Sequence, residues 1–182
     1  KSSTGELAQG DVDIMAADMT VATARTSPTL PTGLAAFTWA DPNTTLTLGG
    51  VSPDSASISV DINNNLDGDR FYIGGGGKRK QPIAPTAEFT ADLSADFIDW
   101  TAYNRVISGG FTSLVWKMSG DIISNAYRYE LQVTMNVMTV GEPPKLNGPG
   151  RIPETLKLKA YDDGSGPGSA ITVRYRTTDA TP

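Results

Sequence analysis

One Asn- and Asp-rich segment places oxygen side chains at the spacing of a calcium-binding loop. Asn63, Asn65 and Asp67 take the first, third and fifth positions of that loop, and Gly68 takes the sixth. The pattern has a chemical basis, because calcium prefers oxygen ligands. The twelfth position, which requires a bidentate glutamate, is Gly74. We therefore interpret the segment as a turn, since Asn, Asp and Gly tolerate a left-handed backbone, and we predict no metal site.

Four consecutive glycines at residues 74–77, followed by Lys78, resemble part of a phosphate-binding loop. In that motif the first glycine would stand at Tyr72, and a serine or threonine would stand at Arg79. Neither position carries the required residue. We interpret the glycines as a flexible loop and predict no nucleotide or other cofactor.

Acidic side chains on predicted strands are the remaining candidates for catalysis. Two carboxyl groups that face each other across a cleft can hydrolyse a glycosidic bond. Nothing in the spacing of these acids brings two of them together, so we interpret them as solvated and predict no catalytic residue. The acids considered are Asp92, Asp96, Asp99, Glu88 and Glu130.

The composition of the chain excludes most enzyme classes. Its 182 residues include no His and no Cys. The chain therefore lacks the imidazole of Ser-His-Asp catalysis and the thiolate needed for disulfides, nucleophilic attack or sulfur-based zinc sites. The net charge of −5 also disfavours a general nucleic-acid-binding surface, which is normally basic. We expect a protein that is not an enzyme.

Alternation of apolar and polar residues predicts the elements that would position these groups. Most segments repeat every two residues, which is typical of strands with one buried face. We predict a mainly β fold: an antiparallel β-sandwich or barrel with one short α-helix at about residues 99–108 and long loops. The last two strands are expected to form a hairpin around a Gly- and Asp-rich turn. The predicted strands are residues 11–15, 19–24, 35–39, 44–48, 55–63, 70–73, 87–97, 112–118, 127–138, 155–161 and 170–176.

The predicted helix carries two neighbouring aromatic residues. Asp99 is placed to cap its start, and Gly109 is placed to end it. Trp100, Tyr103, Val106 and Ile107 recur at spacings of three and four, so we expect the aromatic face of the helix to pack on the sheet. A role of Trp100 and Tyr103 in contacts between copies is the alternative.

The order of elements in the later part of the chain carries a family resemblance. A strand ending in an Asn-Asn-Leu turn at residues 57–66 leads to a second strand at residues 87–97. A helix of the Asp-Trp-x-x-Tyr-Asn-Arg type follows at residues 99–107, before paired strands and a Pro-rich loop. Together these features resemble the tail tube, or major tail, proteins of long-tailed bacteriophages.

This resemblance covers about residues 55–182, whereas the first fifty residues match only loosely. We expect one domain over residues 1–182. Because members of the family are often longer at the N-terminus, we expect that a segment is missing before Lys1.

The resemblance implies a structural protein of the virion tail, assembled in the host cytoplasm. It implies hexameric rings that stack into a tube, through which genomic DNA passes during ejection without specific binding. It also implies contacts with the terminator, baseplate or tip, and tape-measure proteins, and no membrane partner. A charge of −5 per copy suits such a conduit, because a basic wall would retain DNA. The residues expected at contacts between copies are Lys78, Arg79, Lys80, Lys145, Arg151, Trp100 and Tyr103.

Two other classes of protein stay open from the residues alone. A carbohydrate-binding or adhesin-like β-sandwich would share the fold class, would be monomeric, and would stack sugars on exposed aromatic residues. Trp100, Tyr103 and Trp116 are the candidates for that role. A glycosidase based on two carboxylates would need a cleft that 182 residues could barely frame.

Overall fold

The structure is a computed structural model that describes residues 2–3, 8–14, 37–67, 69, 73, 86–96, 100–125, 127–140, 153–164 and 170–178. These residues form eight strands and one helix, so the fold is mainly β, as predicted. The elements are β1 (Ser2–Ser3), β2 (Thr45–Leu48), β3 (Ser55–Asn63), β4 (Glu88–Asp96), α1 (Thr101–Ser108), β5 (Thr112–Ser124), β6 (Tyr127–Val140), β7 (Pro153–Ala160) and β8 (Ile171–Arg176).

The strands form one antiparallel sheet. Seven of them follow the order β1-β3-β4-β7-β6-β5-β2, and β8 pairs with β6 beside that path. Among the described residues, β1 and β2 form the two ends of the path and do not pair with each other. The predicted antiparallel β architecture is therefore confirmed, as an open sheet and not as a closed barrel.

Alternate side chains of the central strands build one apolar core. The two-residue period of a strand places every second side chain on the same face, and this face is apolar along most of β5, β6 and β7. Residues from β2 and β3, near opposite ends of the sheet, belong to the same cluster. The buried members are Leu46, Leu48, Ile58, Ala91, Leu93, Leu114, Trp116, Met118, Val133, Met135, Val137, Leu156, Leu158 and Ala160.

The last two strands do not form the predicted hairpin with each other. β7 pairs with β4 and with residues 137–140 of β6, whereas β8 pairs with residues 130–135 of β6. Both strands run antiparallel to β6. The hairpin prediction was wrong because a Gly- and Asp-rich segment indicates a turn but does not determine which strand the chain joins afterwards.

Helix α1 begins two residues later than predicted. Its N-cap position is Trp100 and not Asp99, and no side chain donates or accepts a capping hydrogen bond there. The C-terminal end is as predicted, because Gly109 adopts the left-handed conformation (φ 60°) and donates its N–H to the carbonyl of Arg105. Within the described residues, no helix has the length and apolar character needed to span a bilayer.

Several other predicted strands differ from the observed ones. Residues 11–14 form no strand, and residue 38 forms only an isolated bridge. The predicted strand at residues 19–24 lies outside the described residues. β3 has the predicted bounds, although Ile62 near its end is exposed. β5 and β6 both extend beyond the predicted ends.

The chain divides into two compact units. Residues 1–9, 35–61 and 89–182 form the first unit, and residues 10–34 and 62–88 form the second. The sheet core and the helix belong to the first unit. The expectation of one domain over residues 1–182 stays a prediction.

Candidate functional site

The basic residues expected at contacts between copies lie outside the described residues. They are Lys78, Arg79, Lys80, Lys145 and Arg151. The structure therefore neither brings these side chains together nor separates them, and their role stays a prediction.

Trp100 is exposed at the start of helix α1. Its side chain is 53% exposed, and its ring meets that of Tyr103 edge to face, with 5.2 Å between the ring centres and an interplanar angle of 82°. Ile107, which lies one helical turn beyond Tyr103 on the same side of the helix, is also exposed. The prediction that Trp100 packs on the sheet was wrong, because more than half of its side chain is exposed. The contact with the end of β2 is made instead by Arg105, on the other side of this short helix. Trp116, in contrast, is buried in the core and cannot stack a sugar at the surface.

Arg105 fastens helix α1 to the end of β2. Its Nη2 atom donates a hydrogen bond to the carbonyl oxygen of Leu48 at 3.0 Å. The next residue, Gly49, adopts a positive φ of 64°. A Cβ atom at Gly49 would lie 2.7 Å from Oγ1 of Thr112 and 3.0 Å from Nη2 of Arg105. Only glycine fits both the left-handed backbone and the space beside the arginine.

Glu130 joins β6 to β8 through a charged cluster. The residue is 8% exposed, and it pairs in register with Arg176. Nη2 of Arg174 donates a hydrogen bond to Oε1 of Glu130, and Nη1 of Arg176 lies 3.5 Å from Oε2. Arg174 also donates to Oε1 of Gln132 at 3.2 Å. The single carboxylate of Glu130 therefore pairs with two guanidinium groups, so this cluster carries more positive than negative charge.

The environment of Glu130 lowers its pKa. Burial alone would raise the pKa, because it disfavours the charged form. The hydrogen bond from Arg174 and the charges of Arg176, Arg174 and Lys117 outweigh that effect, so the pKa falls below its ordinary value. Glu130 was one of the acids considered for catalysis, and its charged neighbours are cations, which keep it ionised.

A second ion pair holds the turn before β2. Nη1 of Arg128 lies 3.5 Å from Oδ2 of Asp41 and donates to the carbonyl of Gly120 at 3.1 Å. The pKa of Asp41 is lowered, first by the backbone N–H of Asn43, which donates to Oδ1 at 2.8 Å, and then by the side-chain amide of Asn43. These contacts stabilise the local structure of the turn.

The segment with the calcium-loop spacing directs its oxygens to its own backbone. Oδ1 of Asn63 accepts the N–H of Asn65 at 2.9 Å, and Oδ1 of Asp67 accepts the N–H of Asp69 at 3.2 Å. Asn65 adopts a φ of 48°, which confirms the interpretation as a turn. Across the described part of the chain, no three acidic, His or Cys side chains are grouped as metal ligands.

Comparison with known families identifies the class of protein. The sequence matches the phage tail tube protein family over residues 2–160. This span contains strands β1 to β7 and the helix, and it exceeds half of the chain. The chain belongs to this family. No curated protein is significantly similar to this chain. As a member of the family, it is a structural component of the bacteriophage tail and assembles there with other tail proteins.

The extent of the family match corrects the resemblance drawn from the sequence. The first fifty residues of the tail tube protein, which were expected to match only loosely, lie within the matched span. Strand β8 lies beyond it. Glu130 therefore belongs to the family-matched part of the chain, whereas Arg174 and Arg176 do not.

The sequence carries one signal for the Glu130 cluster. Arginines stand at alternate positions of β8, and Glu130 and Gln132 stand at alternate positions of β6. This spacing places each set on one face of its strand. The signal was incomplete, because the sequence does not reveal that β8 pairs with β6.

Proposed function

We propose that this chain is the protomer of hexameric rings that stack into the tail tube and form the conduit for the genome. The observation that carries this proposal is the family match over residues 2–160. The antiparallel sheet with a continuous core supports it, because a stacked tube requires a rigid protomer.

Charge is compatible with passage of DNA through the proposed tube. A net charge of −5 per copy gives −30 in a ring of six. A wall of the same sign as DNA repels it on average, whereas a basic wall would bind phosphates and slow ejection. The proposed tube therefore guides DNA without binding it specifically.

The basic residues of the two predicted Gly- and Pro-rich loops are proposed to hold neighbouring copies together. Lys78, Arg79 and Lys80, with Lys145 and Arg151, would pair with acidic groups of adjacent subunits. Each exposed pair contributes only about 0–1 kcal/mol, but the contact repeats at every subunit, so its effect accumulates along a tube. Trp100 and Tyr103 are proposed to contribute an aromatic contact between copies.

Charge reversal tests the role of the basic loop. The double variant Lys78→Glu/Lys80→Glu should shorten or abolish tubes, whereas the charge-preserving Lys78→Arg/Lys80→Arg should assemble normally. Tubes of normal length from the charge-reversed variant, with weakened binding of DNA, would assign the loop to the nucleic acid instead.

The remaining parts of the proposal follow from the family. The protein would assemble in the host cytoplasm, would contact the terminator, the baseplate or tip and the tape-measure protein, and would carry out no catalysis. The competing function considered from the residues, a monomeric carbohydrate-binding module, has lost one of its candidate aromatic residues, because Trp116 is buried.

Size and shape in solution distinguish the two functions. The full chain is purified and its mass is measured by light scattering after size exclusion, followed by negative-stain electron microscopy. Rings or tubes support the proposal. A species that stays monomeric at high protein concentration and binds glycans supports the competing function.

A further inference from the structure

Strand β8 presents an unpaired edge. Asn136 of β6 donates its N–H to the carbonyl of Ala170, the residue just before β8. In an antiparallel pair, the residues that bond to the neighbouring strand alternate with residues that do not. The even-numbered residues of β8 therefore bond to β6, and the odd-numbered residues direct their backbone groups away from it. The N–H and C=O groups of Ile171, Val173 and Tyr175 therefore point to the free side. Among the described strands, none pairs with that side.

The side chains along this edge alternate in character. Val173 and Tyr175 lie on one face and are 52% and 55% exposed. Arg174 and Arg176 lie on the other face, where they share the single carboxylate of Glu130. An incoming strand would thus meet apolar groups on one face and surplus positive charge on the other.

Another free edge of the sheet, at β2, is blocked by local turns. Leu48 and Val51 exchange backbone hydrogen bonds beside it, and the N–H of Thr44 is bound by the carbonyl of Asp41. Natural proteins block sheet edges in this way to prevent pairing with other chains. β8 carries no such block among the described residues, so its edge is suited to accept another strand.

One exposed segment has the complementary pattern. Asp11, Val12, Asp13 and Ile14 alternate acidic and apolar side chains. Val12 and Ile14 are 82% and 86% exposed, although side chains of this type are usually buried. The segment forms no strand in the isolated chain. In an extended conformation, both carboxylates would lie on one face and both apolar side chains on the other.

We propose that residues 11–14 of one copy add as a strand to the free edge of β8 in a second copy. Val12 and Ile14 then cover Val173 and Tyr175, and the two carboxylates face Arg174 and Arg176. The backbone bonds provide affinity, and the matched alternation sets the register, as in other cases of strand addition. A head-to-tail contact of this kind uses two different surfaces, and it builds a ring when the rotation between neighbouring copies closes. The inference rests on the proposed function, because it identifies a contact within the assembly.

Cysteine cross-linking tests the contact, because the chain has no native Cys. A Val12→Cys variant is mixed with a Val173→Cys variant or a Tyr175→Cys variant, assembled and oxidised. We expect a disulfide-linked dimer on a non-reducing gel in at least one mixture, with the linked peptides identified by mass spectrometry. Ile122→Cys is the matched control, because it is similarly exposed but lies away from the β8 edge, and it should give at least tenfold less dimer with Val12→Cys.

The outcomes separate this inference from the proposed function. Tubes seen by electron microscopy without a cross-link at either β8 position overturn the strand addition and leave the tube function standing. A cross-link of equal yield to Ile122→Cys also overturns it. A Val12→Cys/Tyr175→Cys double variant that links only within one copy overturns it as well. A chain that stays monomeric overturns both.

Discussion

Asn136 of β6 donates its backbone N–H to the carbonyl oxygen of Ala170 at 3.1 Å. The carbonyl oxygen of the same Asn136 accepts the N–H of Tyr161 at 3.0 Å. Tyr161 and Ala170 therefore both lie opposite Asn136. The chain leaves the edge of β6 after residue 161 and returns to it at residue 170. β7 and β8 are in effect one strand partner of β6, interrupted by a nine-residue insertion.

Deleting the insertion tests this relationship. Removal of residues 162–170 joins Tyr161 to Ile171 with both strands still in register with β6, because Ala160 pairs with Val137 and Ile171 with Met135. We expect the variant to fold and to gain up to about 2 kcal/mol, since a loop-closure cost is removed. Thermal unfolding followed by circular dichroism provides the measurement.

A deletion one residue shorter is the control. Removal of residues 163–170 shifts β8 by one position, which turns every side chain of the strand to the opposite face. Arg174 and Arg176 would then face the apolar side, and buried Glu130 would lose its partners, at a cost of about 3 kcal/mol or more. Equal stability of the two deletion variants would contradict the proposed continuity of β7 and β8.

The sequence predicted local elements better than their partners. The two-residue alternation placed β3 within its observed bounds and located the central parts of β5 and β6. It did not predict the insertion, because the residues of the Gly-rich segment are typical of any turn. The direction taken after the turn depends on hydrogen bonds to Asn136, which lies far away in sequence, and local patterns carry no record of them.

The lowered pKa of Glu130 predicts a pH dependence of stability. The pKa of Glu130 is lower in the folded than in the unfolded chain, so the folded state binds fewer protons. Stability therefore rises with pH over the range between the folded and the unfolded pKa of Glu130. The contribution is complete above the ordinary glutamate value of 4.5 and is lost as the pH falls through the lower pKa of the folded protein. Glu130→Gln should cost about 1–2 kcal/mol at pH 7, since Arg174 remains partly exposed to water.

Urea unfolding between pH 3 and pH 7 measures this effect. The Glu130→Gln variant should show a shallower rise of stability with pH than the parent protein, with the remaining slope due in part to Asp41. Glu130→Asp keeps the charge and should retain more of the slope than Glu130→Gln. A profile that Glu130→Gln leaves unchanged would show that the cluster does not stabilise the fold.

Two neighbouring glycines allow steric crowding to be separated from backbone strain. Gly49 and Gly50 both have a positive φ, of 64° and 79°, so Ala at either position costs about 1–2 kcal/mol. Only at Gly49 would the new Cβ also meet Thr112 and Arg105. Gly49→Ala should therefore lower the free energy of unfolding by at least about 1 kcal/mol more than Gly50→Ala.

A double variant identifies the crowding atom at Gly49. The nearest atom to the added Cβ is Oγ1 of Thr112, so Thr112→Ala should recover part of the loss in the Gly49→Ala background. The recovery is read as a coupling energy from a double-mutant cycle in denaturant. Equal losses of stability in Gly49→Ala and Gly50→Ala would contradict the crowding. They would indicate that the side chains of Thr112 and Arg105 move aside at little cost.

Two tryptophans should respond differently to truncation. Trp100→Ala removes an exposed side chain, so the unfolding free energy should change by about 1 kcal/mol or less. Trp116→Ala opens the core and should cost about 3–5 kcal/mol. If Trp100 contacts a neighbouring copy, Trp100→Ala should weaken tube formation while the melting temperature of the protomer changes little. A large loss of protomer stability in Trp100→Ala would restore the predicted core packing.

The sequence could not determine which face of helix α1 meets the sheet. Trp100 and Arg105 both lie on a helix of eight residues, and its hydrophobic pattern favours burial of the tryptophan. The structure instead uses the hydrogen bond from Arg105 to Leu48, which requires the end of β2 to lie beside the helix. The free edge of β8 was equally beyond local patterns, since it exists only because β4 pairs with β7 and not with β8.

Cryo-electron microscopy of the assembled protein shows whether the chain builds a tail tube. We predict a hollow tube built from stacked rings, with six copies per ring and an open lumen wide enough for duplex DNA. A particle without a lumen, or a chain that remains monomeric under all assembly conditions, would contradict it.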